Sequence, residues 1–186
     1  MWGLVVRRQW RLALAYLLAA SVMVSTTRFD GGVAFLWIST AILIAALLRT
    51  PARQWWEPLI VCGGCSFIVT GMLGLGWAAA LPLALANVLE ASLAAWLFRR
   101  LADPKESMQS LGWFFRFVLA VGIVAPLAAA VLAALSMLAL QLPASNTLLN
   151  FYVGHALGNL TFTPLALLVT GRRAWRQTKA TVTAQW

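Results

Sequence analysis

The stretch WAAALPLALANVLEASLAAWLF, from Trp77 to Phe98, is followed directly by Arg99 and Arg100. Its only ionisable residue is Glu90, in a run otherwise dominated by alanine and leucine. About 20 apolar residues in a helix span the hydrocarbon core of a bilayer, which is about 30 Å thick. The stretch therefore predicts a transmembrane helix that ends at a pair of arginines.

The rest of the chain has the same character. Of its 186 residues, 62% are hydrophobic and only 10% are charged, a balance foreign to a soluble domain of this size. Measured by the same length criterion, apolar segments separated by short Gly, Pro and Asp turns predict six transmembrane spans, at residues 10–27, 33–48, 55–73, 77–98, 111–140 and 147–170. The predicted fold is an all-α integral membrane protein, a bundle of about six transmembrane helices.

The first span has an alternative interpretation. The sequence RRQWR, starting at Arg7, followed by LALAYLLAA, has the charge and apolar core of a signal peptide. No convincing small-x-small cleavage site follows, so we favour an uncleaved membrane anchor.

The net charge of +9 comes from basic residues in short clusters at the ends of the apolar segments. This distribution is typical of membrane topology and differs from the continuous basic face that binds nucleic acid. Placing both termini in the cytoplasm puts thirteen of the fourteen basic residues inside and leaves only Arg28 outside. We therefore predict a cytoplasmic segment 1–9, a membrane domain 10–170, a basic cytoplasmic tail 171–186, and no nucleic-acid partner.

Two other residue classes have structural interpretations. Eight of the ten tryptophans fall near predicted span ends, where indole rings favour the headgroup region, so we expect residues such as Trp37 and Trp113 to be interface anchors. Cys62 and Cys65 form a C-x-x-C within LIVCGGCSFIV, without a second cysteine pair or a nearby histidine. We interpret them as small buried residues, and expect no metal site and no cofactor.

Polar side chains inside the predicted spans are few. Asn87 and Glu90 lie three residues apart on one face of the fourth span. His155 and Asn159 lie four apart in the sixth span, and Thr163 follows one turn later. Because such groups are costly in hydrocarbon, these five residues are the candidate ligand-binding or coupling site. No nucleophile–base pair or catalytic motif accompanies them, so we do not expect an enzyme.

A depth comparison at about 1.5 Å per residue gives a specific hypothesis. Measured from Trp77 and Leu148, Asn87 lies level with Asn159, and Glu90 lies level with Thr163. The two helices would then face each other through an Asn–Asn layer and a Glu–Thr layer. The alternative is that the Asn and Thr side chains serve only as interhelical contacts, a common role in membrane proteins.

Three blocks resemble the first-described membrane-associated sensor domain family, MASE type one, of bacterial signalling proteins. FLWISTAILIAALL, residues 35–48, resembles the family's W-P-x-x-G-I-A-L-A-x-L-L; NVLEASLAAWLFRR, residues 87–100, resembles its G-N-x-x-E-A-x-x-A-x-L-L-R-R. GHALGNLTFTPL, residues 154–165, resembles its G-D-x-L-G-x-L-x-x-T-P-L. The chain departs from the family at Ile38 and Ala41, where the family has Pro and Gly, and at His155, where it has Asp.

The resemblance implies a multi-pass sensory module in the bacterial inner membrane. Such modules normally precede a diguanylate cyclase, phosphodiesterase or histidine kinase and pass a signal through their last helix. Nothing follows Trp186, so we expect a module without its own output domain. It is a stand-alone relative, a fragment of a longer gene product, or the partner of a separate cytoplasmic or membrane signalling protein, and each is compatible with a homo-oligomer. Two alternatives stay open: the substrate-binding membrane component of a vitamin-type transporter, and a scaffold without a ligand.

Overall fold

The computed structural model describes residues 2–27, 34–102, 110–142 and 146–170, with side chains from Gln9 onward. The helices in these ranges are α1 (Trp2–Thr27), α2 (Ser39–Arg49), α3 (Trp56–Met72), α4 (Trp77–Leu101), α5 (Leu111–Phe117), α6 (Ala125–Ala139) and α7 (Thr147–Val169). A 3-10 turn, Ala52–Gln54, precedes α3, and a π-helical segment, Val118–Val124, joins α5 to α6. The predicted tail 171–186 and Arg28 lie outside the described residues.

The described helices have the length and composition of a membrane protein. Four segments are long and apolar enough to cross a bilayer: Gln9–Thr27, Trp77–Leu101, Leu111–Ala139 and Thr147–Val169. The helices α2 and α3 are also apolar but shorter, with 11 and 17 residues. The prediction of an all-helical membrane protein is therefore confirmed, with four helices that meet the length requirement.

Helix α4 packs against α2, α3 and α6. Its buried side is built mainly from small residues, Ala79, Ala80, Ala84, Ala86, Ala91, Ala94 and Ala95. Alanine lets helix backbones approach closely, which is the usual basis of packing between membrane helices. Asn87 and Glu90 lie on this same buried side, whereas Leu81 and Leu85 are exposed. The fold thus places Asn87 and Glu90 inside the bundle.

The second predicted segment differs from the expectation. A helix was predicted from residue 33, but α2 begins only at Ser39, and residues 36–38 have no regular structure. The Trp37 N–H donates a hydrogen bond to the Gly154 carbonyl at 3.4 Å. A Cβ atom at Gly154 would lie 1.6 Å from the carbonyl oxygen of Phe35, and one at Gly158 would lie 2.4 Å from that of Trp37. The non-helical peptide therefore lies directly on the backbone of α7, a tertiary contact that replaces the first turns of the predicted helix.

Candidate functional site

The Glu90 carboxyl group joins α4 to α7. It is fully buried, and its Oε1 accepts a hydrogen bond of 2.6 Å from Asn159 Nδ2. Its Oε2 lies 2.5 Å from His155 Nδ1. His155 and Asn159 are four residues apart, so both side chains project from one face of α7, as the spacing predicts. The structure thus brings three of the five predicted site residues into direct contact.

The short contact between Glu90 and His155 requires one proton between the two atoms. Either the ring nitrogen or the carboxyl oxygen can donate that proton. Together with the Asn159 amide, this contact gives both Glu90 oxygens a hydrogen-bond partner. The two partners explain how a carboxyl group can be buried completely in an apolar bundle, since a buried polar group without partners would be costly.

Two aromatic rings hold the His155 side chain in place. The Phe151 ring stacks on it with centroids 3.7 Å apart, and the Trp37 ring is nearly parallel to it at 5.9 Å. Trp37 is only 5% exposed, and Trp113 is 6% exposed, so the prediction that these two residues are interface anchors was wrong. Both lie near predicted span ends in the sequence, but the non-helical segment turns Trp37 inward, and Trp113 stacks on Phe117.

The second hydrogen bond of Asn159 goes to a carbonyl group that a proline leaves unpaired. In the π-helical segment the Ala125 N–H bonds to Ala120, five residues earlier. The equivalent donor for Val121 would be residue 126, but Pro126 has no N–H. The Asn159 amide nitrogen lies 3.5 Å from this Val121 carbonyl oxygen. Asn159 therefore connects α7 to both α4 and the π-helical segment.

Asn87 belongs to a separate hydrogen-bond chain. Its Nδ2 donates to Ser66 Oγ on α3 at 2.8 Å, and Ser66 is also hydrogen-bonded to the Tyr16 hydroxyl of α1. The side chains of these three residues are almost completely buried. Asn87 thus connects α4 to α3 and, through Ser66, to α1.

The predicted polar layers are therefore wrong. Glu90 pairs with His155 and Asn159 rather than with Thr163, and Asn87 pairs with Ser66 rather than with Asn159. The observed pairing corresponds to a displacement of α7 relative to α4 by about one to two helical turns from the predicted register, since Asn159 and His155 lie four and eight residues before Thr163. The depth comparison assumed that both helices start at the same level, which the sequence alone does not establish. Thr163 is fully buried one turn beyond Asn159, and its hydroxyl has no hydrogen-bond partner among the described residues.

A small cavity adjoins the polar site. It encloses about 40 Å³ and is lined by residues that include Val24, Trp37, Thr70, Asn87, Phe151 and His155. This is room for about three water molecules, since one needs roughly 10–15 Å³. Asn87 Oδ1 is buried without a hydrogen-bond partner in the described part of the chain, so the cavity wall carries a free acceptor. The cavity connects the two hydrogen-bond groups, because Asn87 and His155 both line it.

Sequence reasoning missed four parts of this site: Tyr16, Trp37, Ser66 and the Val121 carbonyl. Ser66 lies in the apolar run that contains the two cysteines, where a lone serine carries little signal. Pro126 was a usable signal for the carbonyl, because a proline inside a helix leaves an acceptor unpaired for a neighbour to bind. Cys62 and Cys65 are free thiols, and the described residues contain no cluster of His, Cys, Asp and Glu that could hold a metal ion.

Comparison with known proteins supports the family resemblance. The model of the MASE1 family matches residues 9–184, nearly the whole chain. No curated protein and no solved structure matches the sequence. The matched range includes all three sequence blocks and every residue of the polar site. The chain therefore belongs to the MASE1 family of membrane-associated sensor domains.

Proposed function

We propose that this chain is a membrane-embedded sensory or signal-relay module in which a change at the Glu90 site alters the position of α7. The observation that carries the proposal is the pair of hydrogen bonds from α7 to one buried carboxyl group on α4. A buried donor or acceptor left without its partner costs about 1–3 kcal/mol, so the gain or loss of these bonds is large enough to shift a helix. A stimulus acts by favouring one position of α7 relative to α4 over another.

The proposed topology has six spans, with both termini in the cytoplasm of a bacterium and the bundle in its inner membrane. Helix α2 is about 16 Å long at 1.5 Å per residue, which is half of the bilayer core. The non-helical residues before it extend the crossing and are covered by α7. Non-helical backbone is tolerated at membrane depth where it is buried in protein, so this segment is compatible with a full crossing.

The cavity beside Asn87 and His155 is the proposed site of the stimulus. Its volume of about 40 Å³ admits water or a molecule of a few atoms. Pockets for vitamin-sized ligands are roughly 300–1,000 Å³. The size of this cavity therefore favours a small stimulus over a vitamin-sized ligand at the polar site. We propose that the output passes from α7 to a separate cytoplasmic or membrane signalling partner.

The proposal is tested by measuring whether the Glu90 site controls α7. Spin labels at Leu111 and Val169, which are 74% and 85% exposed, report the distance between the start of α5 and the end of α7. The labels require prior replacement of Cys62 and Cys65 by alanine, in protein reconstituted into lipid. We expect Glu90→Gln to shift or broaden the distance distribution. An unchanged distribution in a folded Glu90→Gln protein would exclude the proposed relay.

A further inference from the structure

Arg49 contacts the end of α7 from the neighbouring helix. It is the last residue of α2, and its Nη2 donates to the carbonyl oxygens of Leu167 at 2.5 Å and Ala166 at 3.2 Å. Carbonyl groups in the last turn of a helix lack some of the donors that a further turn would supply, and they carry partial negative charge. The Ala166 carbonyl also accepts from the Thr170 N–H at 3.2 Å. The guanidinium group therefore caps α7 close to Val169, its last residue.

The same short helix is connected to the polar site at its other end. Trp37, two residues before α2, stacks on His155, and its N–H bonds to Gly154. His155 and Leu167 are 12 residues apart, or about 18 Å along α7. The peptide from residue 34 to residue 49 thus contacts α7 both at the polar site and at the end of the helix.

The carboxyl-terminal end of α2 is also fixed to α4 and to Trp55, the residue that precedes α3. Arg99 Nη2 donates to the carbonyl oxygens of Leu47 and Thr50 at 2.8 and 2.7 Å. The Trp55 indole N–H reaches the same two oxygens at 3.0 and 2.9 Å, and Arg99 lies over the Trp55 ring at 5.0 Å. These contacts hold the backbone of α2 in place where Arg49 projects toward α7.

We infer that Arg49 is a positioning residue for signal output: it sets the register of α7 at its end, and α2 connects this contact to His155. The inference rests on the proposed function and adds the route by which the polar site and the end of α7 are connected. A change that opens the Glu90–His155 contact moves Trp37 and α7 relative to each other, and the Arg49 contacts change with them. Coupling of this kind is reciprocal, so a change at Arg49 must also alter the contacts of His155.

The reciprocal effect is directly measurable, because His155 is the only histidine in the chain. Protein labelled with ¹⁵N-histidine in lipid gives one pair of ring nitrogen signals, which report the hydrogen bond to Glu90. We expect Arg49→Ala to shift these signals although the two residues contact α7 about 18 Å apart. Arg49→Lys keeps the charge but not the planar donor fork, so we expect a smaller shift in the same direction.

Arg53→Ala is the matched control, since it removes an equal charge from an exposed position four residues away. We expect it to leave the His155 signals unchanged. Ring signals identical to wild type in both Arg49 variants would overturn the inference. If Arg49→Ala does not fold, unchanged ring signals in Arg49→Lys alone would overturn it.

The distance between the labels at Leu111 and Val169 separates failure of the inference from failure of the function. If Arg49 is the route, Arg49→Ala removes most of the change that Glu90→Gln causes in this distance. If Glu90→Gln moves α7 equally with and without Arg49, the relay stands and the Arg49 route is wrong. If Glu90→Gln moves nothing, the relay itself is wrong, and with it the inference.

Discussion

The carboxyl oxygen Oε2 of Glu90 lies 2.5 Å from Nδ1 of His155, in an interior built mostly from alanine and aliphatic side chains. Neither group reaches bulk water when the contact is broken, because both side chains are at most 3% exposed. The burial of Glu90 therefore depends on His155, and the burial of His155 depends on Glu90. The first prediction follows from this dependence.

Glu90→Ala should lower the free energy of unfolding by about 1–3 kcal/mol or more, because it leaves the His155 ring and the Asn159 amide buried without their partner. Glu90→Gln keeps a hydrogen-bonding oxygen and should cost less. Denaturation in detergent checks both values. The cycle of Glu90→Gln and His155→Gln should be strongly non-additive, with about 1–3 kcal/mol of coupling. Additive single substitutions would show that the two side chains do not interact.

Asn87 and Ser66 should behave as a second, separate pair. Asn87→Ala leaves Ser66 Oγ without the donor that it has at 2.8 Å, and the expected cost is about 1–2 kcal/mol. Ser66→Ala should cost less in the Asn87→Ala background than in wild type, because the bond is already gone. If a double-mutant cycle coupled Asn87 to Asn159 instead of Ser66, it would support the predicted Asn–Asn layer and contradict the observed register of α4 and α7.

Gly154→Ala should be strongly destabilising. The added Cβ would lie 1.6 Å from the carbonyl oxygen of Phe35, so the non-helical segment must move away from α7. Overpacking of this kind costs about 1–3 kcal/mol or more. Gly64→Ala is the matched control, because no atom lies within 4 Å of its Cβ position. That control should be neutral or stabilising by up to about 1 kcal/mol, since alanine is the better helix former.

Pro126→Ala should weaken the dependence of the bundle on Asn159. Alanine restores an N–H at residue 126 and gives the Val121 carbonyl a helical donor. Asn159→Ala should then cost less than in wild type, with about 1 kcal/mol of coupling measured by unfolding. The control is Pro82→Ala, which lies in α4 and should leave the cost of Asn159→Ala unchanged. Equal costs in all three backgrounds would contradict the proposed role of Pro126.

Much of the helical framework could be predicted from apolar length alone. The spans expected at 77–98 and 147–170 appear as helices at Trp77–Leu101 and Thr147–Val169. The late start of α2 could not be predicted, because residues 36–38 are apolar and have no strong helix breaker. What keeps them non-helical is the bare backbone of α7 at Gly154 and Gly158, a contact between distant parts of the chain.

The candidate site was predictable in its members but not in its pairing. Glu90, His155 and Asn159 stand out because polar residues are rare in these spans. Their partners depend on the vertical offset between α4 and α7: one helical turn exchanges Thr163 for Asn159 as the partner of Glu90, and His155 lies one turn further. Hydropathy locates the ends of a span only to within several residues, which is as large as that offset.

Arg49 and Arg99 both count toward the basic residues from which orientation is inferred, yet both donate to backbone carbonyl groups at helix ends. An attempt to invert the protein in the membrane by relocating its cations has to spare these two, or the packing is lost together with the orientation. A tally of loop charges treats all arginines as equivalent. In this bundle Arg49 and Arg99 also stabilise the packing of the helices, so a change of topology that moves them also changes the fold.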